Sequence, residues 1–332
     1  FPLPDFVKIA EDKLSDFFQW IYDGVFKPVV EFFKEYLVLP VYNFVSYYAK
    51  MIWDALMYVV GLAWDLVCMV VQAILDTDEA ILISKKANDH LAEQVAKNPD
   101  RFAGFAALPM QDPDAAAEEL TRCVKDFGFV GSLVNGFTQK DVPDSAIYFD
   151  TPDYSDFWSV VEDLDVPFYL HPRTQIPARA QPYEGHPWLL SSPWGFARET
   201  SLHALRMCGS GMFDKHPKLK IVIGHMGEHI PYDLWRIDAR MRFSPRGYTG
   251  KRPLGEYFLD HFHVTTSGNF SDPTFKCCLE VLGPDRLLFS ADYPFERMSD
   301  AAEWFDAAPI SDAEKKQIGR DNAIKLFKLD LD

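Results

Sequence analysis

The chain has 332 residues, long for one compact core and suited either to two ordinary domains or to one large α/β barrel. Hydrophobic residues make up 48% and charged residues 25%, which excludes disordered, collagen-like and disulfide-scaffold classes. Lys+Arg 33 against Asp+Glu 49 gives a formal charge of −16, a surface that repels phosphate backbones and anionic headgroups, so no nucleic-acid partner is expected.

Residues 1–75 are rich in aromatics, hold only Gly24 and Gly61 and contain no Arg or His, unlike the ordinary composition of 76–332. The start, FPLPDF, has no initiator Met and no basic stretch ahead of an apolar one, so no secretory signal is read and a start inside a longer gene product is expected. The most apolar stretch, 51–71, has the length of a membrane span but carries Asp54 and Asp65, which are costly in lipid. The two aspartates share one helical face, and Trp53 and Trp64 repeat at the same spacing, which predicts an amphipathic helix, with a membrane span as the minor alternative. The five cysteines are odd in number, scattered and without CxxC spacing, so neither a disulfide framework nor a Cys-based zinc site is indicated and a reducing cytoplasm is expected.

From about residue 76 short apolar runs alternate with helical periods, the pattern of βαβ units. Strands are predicted at 102–109, 129–135, 166–171, 219–225, 262–268 and 286–292. Between the first two lies a helix over 112–128, with Asp112 as cap, Pro113 in the first turn and Gly128 at the exit. Further helices are predicted at SDFWSVVEDL, from Ala197 to Met212, at SDPTFKCCLEVLG and over the terminal ISDAEKKQIGRDNAIKLF. Two more βα units within 1–75 bring the count to the eight that closes a barrel, which makes 1–332 a single domain with an atypical opening. A doubly wound sheet competes, but no GxGxxG or GxxxxGK[ST] follows any predicted strand.

Barrel enzymes carry their chemistry at the C-terminal ends of strands, and here those ends are Asn135, His171, His225, Ser267 and Asp292. A lone His171 is more often a hydrogen-bonded structural histidine than a ligand. His225 is followed three residues later by Glu228, whose carboxylate can turn back on the imidazole if a helix starts there; a plain helix N-terminal salt bridge is the competing reading. Asp292 ends a strand with no basic neighbour in sequence, so it needs a metal or hydrogen bonds unless it sits in a surface turn. Two histidines and an aspartate on three strands suit a divalent metal plus an acid/base pair. Arg236, in the helix after the His225 strand, has the reach to grip a carboxylate, although a solvated helical Arg is the default. The remaining histidines lack strand-end placement, and the loop with Trp188, Trp194 and Phe196 walls an aromatic pocket or simply packs on the barrel.

At YLHPR, GHMGEH, TTSGNF and SADYPFE the sequence resembles the amidohydrolase-superfamily decarboxylases that act on hydroxybenzoates, over about 72–330 and most closely the branch acting on 2,6-dihydroxybenzoate (γ-resorcylate). The resemblance implies a distorted (β/α)8 barrel of the metal-dependent amidohydrolase type. It implies His171 and Asp292 as ligands of a divalent metal (Mn, Zn or Mg), His225 with Glu228 as a catalytic relay to Asp292, and Arg236 and Asn135 near the substrate, Arg236 across a subunit interface. The departure is at the start, where the family's acidic first-strand motif is not found. KIAED at 8–12 makes Glu11 the candidate third ligand, while FPLP at 1–4 competes as the segment that follows the motif.

The expected activity is therefore metal-dependent, non-oxidative decarboxylation of an ortho-hydroxybenzoate such as 2,6-dihydroxybenzoate, reversible as carboxylation of resorcinol. The alternatives are hydrolysis of a lactone or amide on the same residues and, if the first-strand ligand is lost, an inactive metal-free binding subunit. The expected partner is a small aromatic carboxylic acid, and a homo-oligomer, dimer or tetramer, is expected from the family and from the aromatic excess at 1–70.

Overall fold

The computed structural model describes residues 76–331 except 141, 143 and 249, together with residues 19, 22–28, 31 and 34. The chain divides into two compact units, Phe1–Leu62 and Ala63–Asp332. In the first, Tyr22–Phe26 forms a π-helical turn. Glu11, the amphipathic helix around Asp54 and Asp65 and the two opening βα units all fall outside the described residues.

In the second unit, helix α1 (Thr77–Val95) precedes a short extended run and helix α2 (Pro113–Phe127). Strand and helix then alternate: β1 (Ser132–Asn135), α3 (Ser155–Leu164), β2 (Phe168–His171), α4 (Gly195–Gly209) and β3 (Ile221–Ile223). Next come α5 (Ile230–Phe243), α6 (Leu254–His261), β4 (Phe262–Thr265), α7 (Asp272–Leu282), β5 (Leu287–Leu288) and α8 (Met298–Ala307). The chain closes with helical turns over 312–327.

The five described strands are all parallel and lie in the order β1-β2-β3-β4-β5. A doubly wound sheet reverses its strand order at a switch point, whereas a (β/α)8 barrel adds each strand beside the last, so the order favours the barrel. The run predicted as a strand at 102–109 is reduced to one parallel bridge, Ala106 to Ser132. Its position is that of the strand before β1, held by Ala106 N–H to Gly131 O at 2.9 Å and Leu133 N–H to Ala106 O at 3.1 Å. Buried Asn88 of α1 pins the same run by accepting from Ala107 N–H and donating to Ala107 O.

Helix α2 forms as its local chemistry dictates. The Asp112 carboxylate accepts from the Asp114 and Ala115 N–H groups, Pro113 fills the first turn, and Gly128 leaves at φ 69°, a left-handed exit that favours glycine. The predicted Ala197–Met212 helix starts and stops earlier, at Gly195 and Gly209.

Strand side chains alternate with period two. Phe168, Leu170, Ile221, Ile223, Phe262 and Val264 face the surrounding helices and make the main core, whereas Tyr169, Val222 and Leu288 pack with Leu326 and Phe327 of the terminal helix. The alternate positions at the strand ends are therefore free to carry polar groups.

Two histidines buried in this scaffold contribute to its response to acid. His203, between the Tyr148 and Phe149 rings, accepts from Phe149 N–H through Nε2, and burial lowers its pKa to about 3. His263 of β4 is likewise pushed down to about 3 by burial and by nearby cations. An unfolded histidine takes a proton near pH 6.5 and the folded ones do not, so this stability is fully present above about 6.5 and lost as pH falls towards 3. His203→Gln keeps an acceptor for Phe149 and removes one titrating group. Its Tm should fall less steeply than wild type between pH 6.5 and 5 by calorimetry, and an unchanged slope would dismiss His203 as a contributor.

Candidate active site

The strand ends place Asn135 and His171 side by side, because β1 and β2 are in register at that pair. His171 Nδ1 lies 2.9 Å from Asn135 Oδ1 and 3.0 Å from Pro172 O. Two acceptors at Nδ1 hold the proton there and leave Nε2 as the lone-pair nitrogen, the arrangement found in metal-ligating histidines. Burial, and then the charge of His225, lower the His171 pKa to about 4, so the ring is neutral and able to ligate at physiological pH.

His225 follows β3 through Gly224. A helix was the expected means of turning Glu228 back on it, and the structure corrects this. The link is a tight turn in which His225, Met226, Glu228 and His229 all have positive φ, 51°, 56°, 50° and 68°, and α5 begins only at Ile230. Such conformations cost about 1 kcal/mol each for residues with a side chain and persist only where their surroundings hold them. The restraints are visible: Ser267 Oγ accepts from His225 N–H at 3.2 Å, and the Cys278 thiol donates to Met226 O at 3.2 Å. Ser267 is itself bonded to Thr265 Oγ1, which lies 3.0 Å from Tyr169 OH, so a buried hydroxyl chain supports the turn.

The strained turn brings Glu228 Oε1 to 2.6 Å from His225 Nδ1, with Glu228 only 2% exposed. On the other edge of the ring, Nε2 lies 3.6 Å from Asp292 Oδ2, an ion-pair contact just beyond hydrogen bonding. Burial alone depresses the imidazole, but Asp292 and Glu228 outweigh it and raise the His225 pKa to about 10. Burial conversely raises the Asp292 carboxyl, and His225 more than offsets this, so its pKa is lowered. His225 is thus placed to carry a proton between the carboxyl groups of Glu228 and Asp292. His225 and Asp292 stay 25% and 22% exposed, open to a ligand from the barrel mouth.

Gly268 is a site residue that motif reading did not single out within TTSGNF. At φ +61° its missing side chain leaves the space that Asp292 and His225 occupy, since a Cβ there would meet Asp292 Oδ2 at 2.8 Å and His225 Cδ2 at 3.0 Å. Gly268→Ala should therefore displace the pair and reduce kcat about 10²-fold. A steady-state assay alongside a thermal melt separates that loss from the cost of left-handed alanine, and retained kcat would show the slot to be unimportant.

A cavity of about 450 Å³ adjoins the turn, lined among others by His225, His229, Asn269 and Thr274. His229, one of the histidines without strand-end placement, lines this cavity and packs against Trp194 at 5.0 Å between ring centroids. That supports the aromatic-wall reading for Trp194, whereas Trp188 packs on His186 at the surface. Arg236 is exposed on α5 and makes none of the contacts described above. Glu11 lies outside the described residues, and among those described no group of three His, Cys, Asp or Glu side chains is placed to hold a metal ion. A neutral imidazole nitrogen and a carboxylate are donors that a divalent cation takes, so His171 and Asp292 suit two ligand positions by their chemistry, and a site would need at least one more.

The family model described as amidohydrolase matches residues 49–329. The gamma-resorcylate decarboxylase of Rhodococcus jostii (strain RHA1) is 58% identical over 265 residues, covering 78% of this chain and 80% of that protein. A crystal structure of 2,6-dihydroxybenzoate decarboxylase complexed with 2,6-dihydroxybenzoate is 55% identical and superposes with a TM-score of 0.77, covering 78% of this chain and 81% of that one. The dihydroxybenzoic acid decarboxylase of Polaromonas sp. JS666, solved with bound manganese and the inhibitor 2-nitroresorcinol, is 53% identical with a TM-score of 0.77, covering 79% and 80%.

Proposed function

The chain belongs to the amidohydrolase family, and from that membership and the strand-end relay we propose that it is a carboxy-lyase that decarboxylates 2,6-dihydroxybenzoate to resorcinol. The observation that carries the proposal is the Glu228–His225–Asp292 array, in which the His225 ring lies between two carboxyl groups and itself lines an open cavity.

His171 and Asp292 would hold a divalent cation such as Mn, Zn or Mg together with a further ligand, for which Glu11, outside the described residues, is the sequence candidate, and relatives solved with manganese favour Mn. When bound, that cation would orient the anionic substrate and offset its charge. The chain's own groups then manage the proton. Glu228 keeps Nδ1–H of His225 occupied, so the mobile proton is the one on Nε2, facing Asp292. Asp292 takes it and delivers it to the ring carbon bearing the carboxylate; a C–H bond forms and aromaticity is broken. The C–CO2 bond then breaks, its electron pair restores the aromatic ring, and CO2 leaves. Solvent returns a proton to His225. The same path reversed carboxylates resorcinol at high bicarbonate.

Asn135 acts by fixing the His171 tautomer. Arg236 is read as approaching the substrate of a neighbouring subunit, because α5 exposes Tyr232 at 83%, Trp235 at 78% and Phe243 at 80%, an apolar face suited to burial in a homo-oligomer. The described cysteines are free, which suits a reducing cytoplasm, and among the described residues no helix is long and apolar enough to cross a membrane.

The test is incubation with 2,6-dihydroxybenzoate with and without added Mn, following resorcinol, CO2 and bound metal. Metal-dependent resorcinol in step with CO2 is expected. Lactone or amide hydrolysis without CO2 release would move the chain to the hydrolase reading, and absence of both product and bound metal would leave the binding-subunit reading.

A further inference from the structure

A cavity of about 430 Å³ opens at the opposite end of the sheet from His171, His225 and Asp292, where the strands begin. Lys218 and Lys220 lead into β3, Arg286 immediately precedes β5, and Lys325 projects from the terminal helix, so four cations line one recess. Two aspartates share it, but Asp260 is taken by Arg252 at 2.5 Å and Asp285 accepts from Gln317. Lys220 is paired with Asp165 at 2.5 Å, whereas Lys218 and Lys325 make no side-chain ion pair among the described residues.

On a chain of net charge −16 such a concentration of positive charge is not what composition supplies. His263, inside the recess, registers that field. Its Nδ1 is buried without a partner, and burial with the charges of Arg286, Lys220 and Lys325 keeps the ring neutral. The frame is rigid, because Asn322 donates to both Pro284 O and Leu287 O at 2.7 Å and so ties the terminal helix to β5.

We propose that this recess binds a small, multiply charged oxyanion of the phosphate class, gripped by Lys218, Arg286 and Lys325, at the end of the barrel remote from the catalytic groups. Ammonium point charges and one guanidinium fork are the donors that phosphate oxygens take. The bound anion would link the entries of β3 and β5 to the terminal helix, so occupancy stabilises the fold.

Inorganic phosphate is the probe, titrated calorimetrically into the intact, metal-loaded protein at constant ionic strength set with chloride. Wild type should show saturable binding and a saturable rise in Tm. Lys218→Ala/Lys325→Ala, which removes two exposed side chains, should keep the wild-type melt without phosphate and weaken binding about tenfold or more. Asp292→Asn should bind phosphate as wild type does. No saturable heat in wild type, equal affinity in the double variant, or loss of binding in Asp292→Asn, which would place the anion at the catalytic centre, would each overturn the proposal.

Discussion

Asp292→Asn is expected to lower kcat for 2,6-dihydroxybenzoate by at least about 10³-fold while the protein stays folded. Asparagine has the same size and tolerates the left-handed backbone, φ 66°, that Asp292 adopts, so the variant isolates charge and proton from shape. Two things are lost together. The carboxylate that would ligate the metal beside His171 becomes a neutral amide, and the acceptor that takes the proton from His225 Nε2 cannot carry it to carbon. His225 also loses the first of the two partners that raise it, so its pKa should fall. Single-turnover kinetics with metal analysis separates these effects. A variant that retains full metal and loses less than tenfold in kcat would show that Asp292 is not the acid.

Glu228→Gln should reduce kcat at neutral pH about 10²-fold and move the alkaline limb of kcat/KM to lower pH. The amide oxygen can still accept from Nδ1–H of His225, so geometry is kept and only the buried charge is removed. In wild type the folded His225 holds its proton up to about pH 10, against about 6.5 in an unfolded chain. The stability it confers is therefore fully present below about 6.5 and lost as pH rises through 10. Without Glu228, burial and the single partner Asp292 set the balance, and the protonated window shrinks from the alkaline side. A pH profile of kcat/KM paired with Tm against pH is the check, and superimposable profiles for the two proteins would remove Glu228 from the relay.

Much of this site can be read one residue at a time. Asn135, His171, His225 and Asp292 stand out because each ends or follows an apolar run, and a buried strand leaves polar side chains nowhere to emerge except at its end. Helix α2 is legible for an equally local reason, since Asp112, Pro113 and Gly128 satisfy its termini within a few residues. Arg236 shows the limit: its position in a helix was legible, yet the helix leaves its side chain exposed and outside the contacts that build the site.

The sequence by itself determined where the strands of the described sheet and helix α2 fall, though not their ends, and which chemical groups stand at or just beyond the strand ends, because caps, turn residues and alternation act over a few residues. Only the tertiary structure decided that His225 lies between Glu228 and Asp292, that Ser267 and Cys278 hold its strained turn, that Gly268 leaves room for the pair, and that four cations meet at the far end of the sheet. These are encounters between strands distant in the chain, set by parallel register and by backbone conformations that packing alone sustains.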